Sequence, residues 1–356
     1  MKQYTSVESR QLEVKVRVTD ITKGTVRTTM WALNYVRCKK TIASFAQFFY
    51  SSLRSFKRNV VTCYVPLKIN RIDFVSRSIF EQIFLMKNWC VVLLSVIFLG
   101  ACSPNNVTID NSLKKFFDDN HVTGTFGIYK NGIREFTIYN LSRFKDSAYL
   151  PASTFKIVNS LVGLETGKIR DERMVIKWDG VTRRIDEWNK DLTMEQAFKV
   201  SAVPYYQEVA RRVGKDTMQF WLDSLGYGAR YEKAKIGKID TFWLDNSIKI
   251  TADEQLGLVK RLYFDQLPFQ KRSMRVVKEM MVQEKNSNYT LAYKTGWGNR
   301  ENGNELGWVV GWVEENRHPY FFALNLEGAP GLDIREIRTN VLKGILKQLG
   351  FLQGKM

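Results

Sequence analysis

Hydrophobic and polar positions along the chain change their period several times, and each change marks an element. In "TGTFGIYKNGIREFTIYN", residues 123–140, apolar and polar residues alternate in two runs around Asn131-Gly132. That pattern predicts two strands joined as a hairpin. "STFKIVNSLVGLETGKI" carries Phe155, Val158, Leu161, Val162 and Leu164 at helical spacing, with Gly167 as its stop. "SLKKFFDDN" before the hairpin predicts a small amphipathic helix. From about 168 to 285 the pattern is helical patches broken by Gly turns ("MEQAFKV", "YQEVARRVG", "MQFWLDSLGYG", "ADEQLGLVKRLYF"). Three strand-like runs follow, "YTLAYKTGWG", "LGWVVGWVEE" and "YFFALNLEG", with Asn302-Gly303 in the first connection. "GWVVGW", with Trp308 and Trp312, reads as a core strand. A last helix, "IREIRTNVLKGILKQLG", closes the chain. The order predicts an α+β fold: a central antiparallel sheet assembled from both ends, with a mainly helical subregion between.

One stretch has neither period. "MKNWCVVLLSVIFLGAC" begins at Met86, and Lys87 gives it a short positive start. Trp89 to Ala101 is apolar apart from Ser95, 13 residues in all. That is too short for a hydrocarbon core of about 30 Å and suits a signal peptide. It ends in Leu99-Gly100-Ala101-Cys102, which resembles a bacterial lipobox whose cysteine becomes the lipidated first residue. The expected layout is an upstream extension over 1–85 outside the fold, with translation expected to begin at Met86. A lipoprotein signal over 86–102, a tether over 103–111 and one catalytic domain over 112–356 follow. Lipidated Cys102 would hold that domain to a membrane on the periplasmic side.

Composition removes several function classes. The net charge of +18 is concentrated upstream: residues 1–85 hold fifteen Lys/Arg against five Asp/Glu, +10 of the total. The remaining +8 forms no basic stripe interleaved with stacking aromatics, so no nucleic-acid partner is expected. All four cysteines, Cys38, Cys63, Cys90 and Cys102, lie in the first 102 residues, which excludes a disulfide framework or thiolate metal site in the main body. His121 and His318 are the only histidines, and both sit in turn-like stretches. No metal site and no Ser-His-Asp triad is expected.

The candidate chemistry lies in "PASTFKIVNS". Ser153 and Lys156 share a helix face at a helix N-terminus, where backbone N–H groups can stabilise an oxyanion. A serine needs a base, and a lysine becomes one only when desolvation makes it neutral. Three further stretches follow in order: "SAV" from Ser201, "YGA" from Tyr227, and "KTG" from Lys294. Ser-x-x-Lys, Ser-Asp-Asn and Lys-Thr-Gly together mark serine β-lactamases and penicillin-binding proteins, and here the middle element is Ser-Ala-Val instead.

With "WNKDLTMEQAFKVSAVPYYQEVARRVG", "FWLDNSIKIT", "KTGWG" and "GWVVGWVE", the chain from about 112 to 352 resembles the class D, OXA-type β-lactamases. The resemblance implies the β-lactamase/transpeptidase fold and hydrolysis of β-lactam small molecules. It makes Ser153 the acylated nucleophile and Lys156, carboxylated by CO2, the general base; no other cofactor is implied. Ser201 would relay a proton to the leaving nitrogen, helped by Lys294. Val203, Trp243 and Leu244 would line the pocket, with the Trp243 indole donating to the carbamate. Thr295, Gly296 and Trp297 would line the substrate cleft, and the N–H groups of Ser153 and Trp297 would form the oxyanion hole. Arg335 would pair with the substrate carboxylate, with Arg338 as the other arginine in that stretch. The family usually has Tyr-Gly-Asn where Ala229 stands here, which puts the role of Tyr227 in doubt. Two relatives of the chemistry stand beside this reading. A non-hydrolytic β-lactam sensor would stay acylated, but such receptors carry several membrane spans and an H-E-x-x-H metalloprotease that this sequence lacks. A transpeptidase would act on cell-wall peptides instead.

Overall fold

The computed structural model describes residues 15–22, 25–32, 106–230 and 233–355. The signal-like stretch with Cys102, and the upstream segment apart from one hairpin, lie outside the described residues. The chain divides into two units, Met1–Cys102 and Ser103–Met356. In the first, β1 (Lys15–Thr22) and β2 (Thr25–Ala32) pair antiparallel.

The second unit begins with β3 (Val107–Ile109), α1 (Lys114–Asp118), β4 (Thr123–Lys130), β5 (Glu135–Tyr139), α2 (Leu141–Asp146) and β6 (Ala148–Tyr149). A 3-10 turn (Ala152–Phe155) then leads into α3 (Lys156–Glu165). The helical region comprises β7 (Val175–Ile176), β8 (Leu192–Thr193), α4 (Met194–Lys199), α5 (Val203–Val213), α6 (Lys215–Leu225), β9 (Ile250–Thr251), α7 (Ala252–Tyr263) and α8 (Lys271–Met281). The chain then returns to the sheet with β10 (Val282–Lys285), β11 (Thr290–Asn299), β12 (Glu305–Glu315) and β13 (His318–Gly328), and ends in α9 (Ile334–Gln348).

Seven strands form the main sheet in the order β10-β11-β12-β13-β4-β5-β3. Strands from both ends of the domain therefore meet at the β13–β4 pair, as the alternation predicts. Two features differ from expectation. Val107–Ile109, expected within a tether, adds an edge strand, and it runs parallel to β5. It can pair this way because the long connection through α1 and β4 turns the chain around. The hairpin turn spans four residues after the last pair, Lys130 with Glu135, and its left-handed residue is Arg134 (φ 56).

The sheet is covered on both faces. On β12, Val309 and Val313 join the cluster with Ile334, Leu342 and Ile345 of α9. Trp308, Val310 and Trp312 join the larger cluster with the helical region. Successive side chains point to opposite faces, so a strand covered on both sides reads as a nearly continuous apolar run. Each fully buried aromatic or aliphatic side chain contributes roughly 1.5–3 kcal/mol. Gly311 is required by close approach: a Cβ there would collide with the Ala292 carbonyl and Tyr293 of β11.

Local signals set the ends of the helices around the site. Thr193 and Gln196 form a capping box on α4, and Thr251 and Glu254 do so on α7. Pro204 in the first turn of α5 suits a helix start, where no backbone donor is needed. β10 pairs only as far as Ala292, so residues 293–299 of β11 pair with β12 on one side and have no described strand on the other. The 152–155 turn packs against the face to which Gly296 and Gly298 point, and the site forms there.

Candidate active site

Ser153 lies in the 3-10 turn and is 8% exposed, while Lys156, opening α3, is fully buried. The Lys156 Nζ donates to Ser153 Oγ at 2.8 Å. Val158, Leu161 and Val162 of the same helix are buried apolar residues, and the Tyr206 ring lies 5.4 Å from the amine. Among the described residues no carboxylate pairs with Lys156. Burial therefore pushes its amine down to about 7, a disadvantage to the ammonium of roughly 5 kcal/mol. The neutral amine is a usable base at neutral pH.

The turn holds a strained shape. Ala152 has φ 48, a left-handed value that non-glycine residues rarely adopt. Its N–H donates to the Trp243 carbonyl at 3.1 Å, and Thr154 Oγ1 donates to the Pro151 carbonyl at 2.7 Å. Gln255 of α7 donates to Thr154 Oγ1 at 2.7 Å. Just before the turn, the Leu150 carbonyl accepts from the Trp308 indole at 3.0 Å. Such strain of about 1–3 kcal/mol persists only where surroundings over-determine it.

Ser201 stands between α4 and α5, again left-handed (φ 55). The Ala202 N–H donates to Ala197 at 2.8 Å, and the Trp188 indole donates to the Val200 carbonyl at 3.0 Å, bracketing the serine. Lys294 of β11 is buried and its Nζ donates to Ser201 Oγ and, at 3.1 Å, to the Thr295 carbonyl. Burial first, then the charges of Lys156 and Arg338, hold the Lys294 amine well below the usual lysine range. Two serines and two lysines from four elements thus meet, although Ser201 and Lys294 are 93 residues apart.

The remaining expected residues lie on β11, on α9, at the start of α5 and in the segment between α6 and β9. Gly296 and Trp297 continue β11 past the serine turn; a Cβ on Gly296 would press on the Pro151 carbonyl at 3.0 Å and on Thr154 at 3.2 Å. Thr295 is half-buried between them and Lys294. Trp297 is 36% exposed and donates from its indole to Glu305 at 2.7 Å. The Arg335 guanidinium lies 5.2 Å from the Trp297 ring and forks onto Asp333 at 2.9 and 2.8 Å. That pair is exposed and so worth little to stability. Val203 is half-buried at the start of α5, and Leu244 is half-buried against the main core.

Trp243 is fully buried and stacks on Phe155 at 5.5 Å, yet its indole N–H has no hydrogen-bond partner. A buried donor without an acceptor is costly, so this indole suits an acceptor group that the neighbouring side chains do not supply. Tyr227 differs from expectation. It is 4% exposed and packs edge-on to Phe155 at 5.5 Å, and burial pushes its phenol well above the usual range. It packs in the core against the Phe155 ring of the serine turn. His121 and His318 are exposed, and no group of three or more His, Cys, Asp or Glu gathers for a metal among the described residues.

Several residues escaped the sequence reading. Glu327 accepts from Arg143 at 3.0 Å and from Arg300 and Asn304 at 2.8 Å, fastening the β11–β12 connection to β13. The guanidiniums of Arg143 and Arg300 lie 4.5 and 5.0 Å from the Tyr149 ring. Their only sequence signal was charge, which exposed side chains share. Trp188 sat in a quoted stretch, but its hold on Val200 needs the fold.

The model of the penicillin-binding protein transpeptidase domain matches residues 115–347. β-Lactamase OXA-5 of Pseudomonas aeruginosa is 39% identical over 245 residues, covering 68% of this chain and 90% of that protein. The chain belongs to the class D β-lactamases. β-Lactamase OXA-48 of Klebsiella pneumoniae is 38% identical over 264 residues, 72% of this chain and 97% of that protein. Among solved structures, the class D β-lactamase FUS-1 (OXA-85) of Fusobacterium nucleatum subsp. polymorphum superposes with a TM-score of 0.65 at 34% identity. It covers 69% of this chain and 100% of its own. Class D membership places the chain among the serine enzymes, consistent with a site built on two serines and two lysines.

Proposed function

We propose that this class D enzyme hydrolyses β-lactam antibiotics through an acyl-enzyme on Ser153 and so confers resistance to them. The observation that carries the reading is the buried Lys156 amine, unpaired with any carboxylate among the described residues and 2.8 Å from the Ser153 hydroxyl. Lys156 takes the Ser153 hydroxyl proton as Ser153 Oγ bonds to the lactam carbonyl carbon and the C–N bond breaks. Ser201 hands its proton to the ring nitrogen, and Lys294 beside it restores that proton. The N–H groups of Ser153 and Trp297 receive the oxyanion. Arg335 exchanges Asp333 for the substrate carboxylate, a bidentate role that suits a guanidinium. One water then cleaves the ester, returning Ser153 and releasing the opened acid.

The Lys156 amine is proposed to take up CO2, with the Trp243 indole N–H as donor to the resulting carbamate. Once carboxylated, Lys156 supplies the general base. The neutral amine and the orphaned indole both support this reading. A chromogenic cephalosporin tests it: many turnovers per enzyme are expected, faster with added bicarbonate. A single stoichiometric burst overturns hydrolysis and leaves a non-hydrolytic acyl acceptor. Trp243→Phe removes the donor while keeping the stack on Phe155. It is expected to need several-fold more bicarbonate for half-maximal rate; an unchanged bicarbonate curve removes Trp243 from that role.

Cys102 is proposed to carry the lipid that anchors the enzyme at the periplasmic membrane face. Among the described residues no helix is long and apolar enough to cross a membrane. Mass spectrometry of the mature N-terminus is expected to show acylated Cys102 as first residue, and a mature chain that retains residues 86–101 overturns the anchor.

A further inference from the structure

Arg338 is a buried charge that the mechanism above does not use. It sits one turn after Arg335 on α9 and donates from Nη1 to the Gly296 carbonyl of β11. Its Nε is shielded from solvent and has no partner. Burial pushes its guanidinium down to about 10, with the Arg335 charge adding to the effect. Retaining such a charge without a direct ion pair among the described residues is expensive, and replacing it with an apolar group is often neutral or stabilising. Its position relative to the site is defined by register. A Cβ on Gly307 would meet Ile334 and Arg338, whereas a Cβ on Gly296 would meet Thr154 of the serine turn. α9 and the serine turn therefore cover opposite faces of the sheet. Lys294 lies two residues from Gly296 and shares its face. Arg338 reaches from the far side to the carbonyl next to that lysine's own strand segment.

We infer that Arg338 is a positioning residue for proton transfer. It fixes the Gly296 carbonyl against the serine turn, and its positive charge behind β11 keeps Lys294 ready to accept and return the Ser201 proton. The other charges around this pair are accounted for. Asp333 is forked by Arg335. Glu305 accepts from Trp297. Glu284 pairs with Lys343, and the Tyr293 phenol is pushed up chiefly by burial. On the site side Lys294 faces the Lys156 amine, the Ser201 hydroxyl and the Phe198 ring. With Lys156 neutral or carboxylated, as proposed above, Arg338 is the cation among these groups that acts on Lys294. The inference uses the proton route proposed above, but it can be tested without turnover.

The test is carbon-13 NMR of the full chain labelled at the lysine ε-carbons, with the Lys294 signal assigned by its loss in Lys294→Arg. Arg338→Gln keeps an amide donor for Gly296 and removes the charge; Arg338→Lys keeps the charge. The Lys294 titration midpoint is expected to move up by about one pH unit in Arg338→Gln and to stay in place in Arg338→Lys. Acylation of Ser153 by a penicillin, followed by intact mass against pH, is expected to weaken at low pH in Arg338→Gln alone. A Lys294 midpoint unmoved in Arg338→Gln, or moved equally in both variants, overturns the inference. A wild-type chain that acylates without turning over overturns hydrolysis alone and leaves the Arg338 result standing.

Discussion

Ser153→Ala is expected to show no covalent adduct by intact-mass spectrometry with excess penicillin, and cephalosporin turnover is expected to fall on the order of 10⁴- to 10⁶-fold. The size follows from the covalent route. Without the hydroxyl there is no group to form the ester, and what remains is binding and oxyanion stabilisation. Folding should survive. Ser153 sits in a turn held by Ala152, Thr154 and Gln255, none of which bonds through the Ser153 side chain. The melting temperature and substrate affinity should therefore stay near the parent's while the chemistry disappears. A penicillin adduct on the variant would move the nucleophile elsewhere, with Ser201 the next hydroxyl to examine.

Lys156→Ala is expected to separate the two half-reactions. The serine keeps its place at the helix N-terminus, so slow acylation continues, while the ester persists for want of a base. A loss of about 10²- to 10⁴-fold in deacylation is the usual worth of a positioned general base. The adduct should be long-lived by intact mass, and equal rates in variant and parent remove Lys156 from the role. The pH dependence has a definite sign. Burial lowers the amine to about 7, so the neutral form that can take up CO2 prevails above that pH. Bicarbonate-stimulated turnover should fade as pH falls through about 7 and hold on the alkaline side. The variant, with no amine, should show neither the stimulation nor that limb.

The sequence pattern places much of this frame. The alternation around Asn131-Gly132 marked β4 and β5, and the late apolar runs marked β11, β12 and β13. Helical spacing marked α3 and α9. These are local signals, because neighbouring residues set the side-chain period. The edge strand at Val107–Ile109 was not legible, since three residues carry no period and the strand exists only through pairing with β5. The fastening of Glu327 by Arg143, Arg300 and Asn304 was equally silent, for its partners lie 184, 27 and 23 residues away.

At the site, the short motifs alone named Ser153, Lys156, Ser201 and Lys294, because a reaction needs particular residue types in a particular order. Their chemical states came from the tertiary structure. A lysine three residues after a serine is an ordinary charged side chain until packing strips its water, and only the fold makes Lys156 fully buried. The same packing left the Trp243 indole without a partner and turned Tyr227 into core. It also set the buried charge of Arg338 behind the strand that carries Lys294. Residue type and spacing are written along the chain, whereas desolvation and charge proximity depend on which distant segments close around a group.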